Sequence, residues 1–200
     1  LKNKVNSKEL FVGFNFSFGE GGKAKTKDLI KLGENMGMKV NEIPAVSIDG
    51  EVISSTLIRK NLQKGHFEEV NKYLGHKFLI IGEVIHGKKI ARQLGFPTAN
   101  IKMANRLYPP LGIYGATLKI EGENIKRYGV VNIGVNPTLK PGERSVEVHI
   151  LDFDGDIYGK KIDVIIEKHL RDEKKFGSME ELRQGIRNDV ENWRKISNRK

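Results

Sequence analysis

Val146-Glu-Val-His-Ile-Leu-Asp-Phe153, followed by Asp154-Gly155, decides how the larger part of this 200-residue chain is read. Side chains alternate along a strand, so Val146, Val148 and Ile150 fall on one face and Glu147 and His149 on the other. One apolar and one polar face mark a half-buried antiparallel strand, and Asp-Gly is a hairpin signal. The same grammar recurs on both sides, over residues 78–86, 112–120, 126–132 and 161–170. Five or six strands without helical patterns between them predict a small antiparallel barrel. A helix then closes the chain. Ser178 and Glu181 form a capping-box pair, and Met179, Leu182, Ile186, Val190, Trp193 and Ile196 make one stripe predicted to pack on the barrel.

The N-terminal third follows a different grammar. Residues 10–16 read as a buried strand, and a loop with Gly19, Gly21 and Gly22 follows. A helix capped by Thr26 carries Leu29, Ile30, Leu32 and Met36 and ends at Gly37. Residues 39–48 are a second strand, and 54–63 and 67–74 are short helices. This β-α-β-α order predicts part of a parallel α/β unit. The boundary is placed at Gly75-His76, giving segments 1–75 and 76–200.

The formal charge of +10 favours anionic partners, but its excess is dispersed, +3 through Gly75 and +7 beyond it. Aromatic residues are not interleaved with the basic ones, so no nucleic-acid stacking platform is read and no nucleic-acid partner is expected. With no cysteine, disulfides, thiolate zinc sites and a cysteine nucleophile are excluded. No apolar run approaches the roughly 20 residues that span a bilayer. The expectation is therefore a cytoplasmic protein with no membrane partner. The start at Leu1, just before a strand-like segment, is read as the cut end of a longer chain.

Gly82-Glu-Val-Ile-His-Gly87-Lys-Lys-Ile-Ala-Arg-Gln-Leu-Gly95-Phe-Pro-Thr-Ala-Asn100 has the composition of a phosphate site. Gly82, Gly87 and Gly95 would let backbone amides approach an anion, Pro97 fixes one φ angle, and Thr98 and Asn100 offer oxygen ligands to a phosphate-bound Mg²⁺. A long β-loop in which glycines only turn the chain is the alternative. The loop at 19–23 lacks the G-x-x-x-x-G-K-[ST] pattern. Ser54, Ser55 and Thr56 at a helix start, with Arg59 one turn inside, could present donors to a phosphate or could simply cap the helix. Asp152, Asp154 and Asp156 lack the spacing of a calcium loop and are read as a turn. Glu147 is a candidate general base held by a rigid strand, with an outward solvated carboxylate as the alternative. His149 is either a neighbour that tunes Glu147 or a satisfied polar residue; we take the second.

Together these residues resemble the bacterial bifunctional riboflavin kinase/FAD synthetase family over nearly the whole chain. Gly95-Phe-Pro-Thr-Ala-Asn100, Gly112-Ile-Tyr-Gly115, Asn132-Ile-Gly-Val-Asn-Pro-Thr138 and Val146-Glu-Val-His149 stand in the family's order. Upstream, Val12-Gly-Phe-Asn-Phe-Ser-Phe-Gly19, with Asn15, and Ile53-Ser-Ser-Thr-Leu-Ile-Arg59 resemble two motifs of the adenylyltransferase module. The resemblance implies a Rossmann-like nucleotidyltransferase remnant, then a six-stranded antiparallel barrel with a C-terminal helix. It implies transfer of the ATP γ-phosphoryl group to the terminal ribityl hydroxyl of riboflavin, giving FMN and ADP. Thr98 and Asn100 then become metal and phosphate ligands, and Glu147 the base. Ala91 stands where the family often has glycine, which matters only if φ there is positive. The histidines, at 66, 76, 86, 149 and 169, form no H-x-G-H pair, so this chain alone is not expected to make FAD, although a longer parent would adenylylate FMN. The rival readings are a catalytically silent flavin- or nucleotide-binding module and a basic barrel that binds nucleic acid.

Overall fold

The computed structural model describes residues 5–87, 90–103, 107–135 and 144–198. Leu1, Lys88 and Lys89 of the glycine stretch, and Asn136-Pro137-Thr138 of the third motif lie outside the described residues. The chain forms two compact units, 1–54 and 55–200.

In the first unit, β1 (Glu9–Gly13) pairs in parallel with β4 (Lys39–Ile43), and α1 (Thr26–Asn35) connects them. Two small hairpins, β2 (Ser17–Phe18) with β3 (Ala24–Lys25) and β5 (Ser47–Ile48) with β6 (Glu51–Val52), complete the unit. The expected parallel α/β unit is thus present, with three local corrections. Residues 10–16 are not buried: Phe11 is 65% exposed, and Phe14 and Phe16 are exposed too. A two-stranded sheet with a single helix can cover only one face. Thr26 is not the cap but the first helical residue, buried, its hydroxyl donating to Gly13 O at 3.3 Å. Its place outside the helix is taken by Lys25, whose N–H donates to Asp28 Oδ2 at 2.8 Å. The second strand is cut into β4 and β5 around Pro44, which has no N–H for a ladder.

The second unit opens with α2 (Ser55–Gln63) and α3 (Phe67–Leu74) and continues into the barrel. Leu62 and Val70 are fully buried in the same apolar cluster as Phe78, Ile80 and Tyr114. These two helices therefore belong structurally with the barrel, although the change of sequence grammar comes after them.

The barrel is closed and antiparallel throughout, in the order β10-β11-β8-β7-β12-β9. Its strands are β7 (Leu79–Ile85), β8 (Ala99–Met103), β9 (Gly112–Ile120), β10 (Arg127–Val135), β11 (Arg144–Ile150) and β12 (Lys161–Arg171). Closure removes all sheet edges and packs Val84, Ile101, Leu118, Val131, Val146, Val148 and Val164 inside. The sixth strand, β8, lies at the end of the glycine stretch, after the short α4 (Ile90–Gln93). Asp154-Gly155 does not close a hairpin. β11 and β12 are separated in the barrel by β8 and β7, so their ten-residue connection crosses the barrel's end, with left-handed backbone at Asp152 (φ 54°) and Gly159 (φ 76°).

Helix α5 (Met179–Ile196) begins as expected, Glu181 N–H donating to Ser178 Oγ at 3.2 Å. Its stripe packs on the barrel through Val190 and Trp193, whose indole lies so close over Gly115 that a Cβ there would meet the ring at 2.2 Å. Met179 and Ile196, at the two ends, are exposed. Arg194 clamps Asp152 through its two terminal guanidinium nitrogens, at 2.6 and 3.1 Å, fixing the helix to the end of β11. No helix among the described residues is long and apolar enough to cross a membrane.

Candidate active site

Register places five side chains in one row across the outer wall of the barrel. Ile85 is opposite Asn100, Asn100 opposite Glu147, Glu147 opposite Asn132, and Asn132 opposite Ile113. Residues directly opposite share a face, so Asn100, Glu147 and Asn132 project together. The alternation read in β11 decides which face this is. Val146, Val148 and Ile150 are buried within, and Glu147 and His149 are half-buried without.

Helix α5 and the segment before it roof this outer face. Arg171 at the end of β12 donates to Asp189 from Nε (2.8 Å) and from the second guanidinium branch (2.7 Å), and its guanidinium lies 5.6 Å from the Phe176 ring centre. The result is a cleft of about 240 Å³. Glu147, Asn132, His149 and Thr98 line one side, and Ile113, Val130, Phe176, Leu182 and Ile186 supply apolar surface. Asn132 Oδ1 is buried with no hydrogen-bond partner among the described residues.

A second cleft, of about 470 Å³, opens on the other side of Thr98. Arg92, Pro97, Thr98, Asp154, Asp156 and Tyr158 line it, and the Tyr158 ring lies against His86, centroids 3.8 Å apart and planes tilted by 32°. Thr98 borders both clefts.

The glycine stretch holds these residues in distinct ways. Gly82 is buried within β7. Gly87 seats Asn100, since a Cβ on Gly87 would stand 2.0 Å from Asn100 Nδ2. Gly95 turns the chain after α4 with φ +88°. Ala91 is helical, without positive φ, so its methyl group is accommodated. Pro97 O accepts a hydrogen bond from His149 Nδ1 at 2.8 Å. Burial holds the His149 pKa below its ordinary value of 6.5.

The structure thus brings Pro97, Thr98, Asn100 and Glu147 together. Asn15 lies in the first unit with Ser54, and Ser55, Thr56 and Arg59 lie on the exposed start of α2 in the second. Several lining residues carry no local signal in the sequence. Arg171 and Asp189 are 18 positions apart and become partners only when α5 docks. Asp154 and Asp156, read as part of a turn, lie in irregular chain between turns at Leu151-Asp152 and Tyr158-Gly159, and border the second cleft.

The family described as Flavokinase: Riboflavin kinase matches residues 74–197, and that described as FAD synthetase matches residues 1–57. The chain belongs to the riboflavin kinase family. Bifunctional riboflavin kinase/FMN adenylyltransferases are 39% identical over 191 residues in Pseudomonas fluorescens and 36% identical over 189 residues in Escherichia coli K12. These alignments cover 95% and 94% of this chain but 61% and 60% of the relatives, so the chain spans about three-fifths of their length. A crystal structure described as a macrolide-efflux protein from Streptococcus pneumoniae superposes with a TM-score of 0.73 at 32% identity, covering 95% of this chain and 61% of that one.

Proposed function

We propose that this chain transfers the γ-phosphoryl group of ATP to the ribityl 5′-hydroxyl of riboflavin, giving FMN and ADP. The observation that carries the proposal is Glu147 standing between Asn100 and Asn132 on a cleft whose border with a second cleft is Thr98. The apolar wall of Ile113, Phe176, Leu182 and Ile186 suits a planar flavin ring, and the larger, more polar cleft suits a nucleotide. Glu147 accepts the proton of the 5′-hydroxyl as that oxygen forms its bond to the γ-phosphorus and the bond to the β-phosphate oxygen breaks. Asn132 offers its buried carboxamide oxygen, without a partner among the described residues, to another ribityl hydroxyl.

Hard oxygen donors suit Mg²⁺, which prefers one or two protein ligands alongside phosphate and water. The Thr98 hydroxyl and the Asn100 carboxamide oxygen fit that role, and Asn100 is already held against Gly87. When bound, the ion neutralises charge on the transferring phosphate. Adenylyl transfer is not assigned to these 200 residues, because their five histidines form no H-x-G-H pair.

Incubation with riboflavin, ATP and Mg²⁺, followed by chromatography, should yield FMN and ADP in equal amounts, and chelation by EDTA should stop it. Flavin fluorescence quenching without product would instead select the silent binding module.

A further inference from the structure

The β8–β11 ladder pairs Glu147 with Asn100 and Val148 with Ala99, and then stops. The next pair would be His149 with Thr98, and beyond it Pro97 has no N–H to offer. The His149 ring takes over where the backbone cannot, its Nδ1 lying 2.8 Å from Pro97 O. A carbonyl oxygen only accepts, so Nδ1 carries the proton and the neutral ring keeps its lone pair on Nε2. Phe96 holds the ring edge-on, with centroids 5.5 Å apart and planes at 84°. The accepting carbonyl belongs to the peptide that joins Pro97 to Thr98, so the bond sets the plane from which Thr98 departs.

We propose that His149 is a positioning residue for phosphoryl transfer, a side-chain rung that fixes Thr98, on the loop, against Glu147, on the strand. The inference rests on the kinase reading of the site. It differs from a base or a ligand role, because the ring acts through Pro97 and Thr98. Misplacement of reacting groups by about 1 Å can cost on the order of a hundredfold in rate.

Three variants separate this from a merely structural role. Asparagine places an amide N–H where the imidazole Nδ1–H lies, glutamine reaches toward the Nε2 position, and alanine offers no donor. His149→Ala and His149→Gln should lower kcat by roughly ten- to a hundredfold with the KM for riboflavin changed by less than about threefold. His149→Asn should stay within about threefold of the parent in both. Amide hydrogen exchange over residues 96–99 should quicken in the alanine and glutamine variants and not in the asparagine one. Full kcat in His149→Ala, or His149→Asn as impaired as His149→Ala, would overturn the proposal. Two readouts need no turnover, so they still decide if the chain makes no FMN and the kinase reading falls. One is exchange over 96–99, where no change in His149→Ala counts against the rung. The other is the ring's ¹⁵N spectrum in the unaltered chain near neutral pH, where an Nε2–H tautomer of His149 contradicts it.

Discussion

Glu147 and Asn100 are direct partners in the β8–β11 ladder, so the proposed base and a proposed metal ligand stand one inter-strand step apart, about 5 Å between Cα atoms. A rigid barrel wall, and not a loop, sets that spacing. The proposed chemistry needs such a fixed distance, because phosphoryl transfer depends chiefly on in-line positioning and charge neutralisation.

Gly87 should prove essential without touching either substrate. A methyl group there would meet Asn100 Nδ2 at 2.0 Å and drive the carboxamide out of the row. Gly87→Ala is expected to lower kcat/KM for ATP by at least about tenfold while unfolding changes by no more than about 1–3 kcal/mol. Steady-state kinetics at varied ATP, beside urea unfolding, would check this; unchanged kinetics would mean that Asn100 is not placed by Gly87.

Arg171 and Asp189 bind the end of β12 to α5, and the Asp189 side chain is only 9% exposed. Arg171→Ala leaves that carboxylate buried without its bidentate partner, which should cost about 3 kcal/mol. Replacing both, as Arg171→Met with Asp189→Leu, should recover most of the loss, since a buried pair is often no better than apolar residues of similar volume. Urea midpoints at constant slope give the comparison. A loss below about 0.5 kcal/mol in the single variant would show that the pair does not hold the roof.

His149 should also make stability depend on pH. Burial lowers its pKa in the folded chain below the ordinary 6.5, so the unfolded chain binds the proton more readily. The contribution is fully present above pH 6.5 and is lost as pH falls through the lower folded value. Arg194 of α5 lowers the folded value further and Asp152 after β11 raises it, while Glu147, Arg171, Asp189, Glu173 and Lys174 line the same cleft. The gap between urea midpoints for the parent and His149→Asn should therefore stay constant above pH 7 and shift against the parent below pH 6.5. Parallel curves would contradict the burial.

Much of this was legible in the sequence, for reasons visible in particular residues. Alternation in β11 put Glu147 outside and Val148 inside because strand periodicity is fixed at two. The stripe of α5 was readable because Val190 and Trp193 recur at helical spacing. β8 was not, because Ala99-Asn-Ile-Lys-Met103 is short, half polar and two residues beyond a proline, and only its neighbours in the closed barrel make it a strand. Strand order was hidden too, so Asp154-Gly155 read as a hairpin although β11 and β12 never meet. The roof over Glu147 depends on the pair Arg171 with Asp189, and the approach to β8 on His149 with Pro97, which no local pattern announces.

The most direct test of the central claim is the rate of FMN formation by Glu147→Gln against the unaltered chain, with saturating ATP and Mg²⁺. Glutamine keeps the shape and removes the base, so kcat should fall by about 10²–10⁴-fold while riboflavin affinity, read by fluorescence quenching, stays within about threefold. Equal rates in the two proteins would contradict the account.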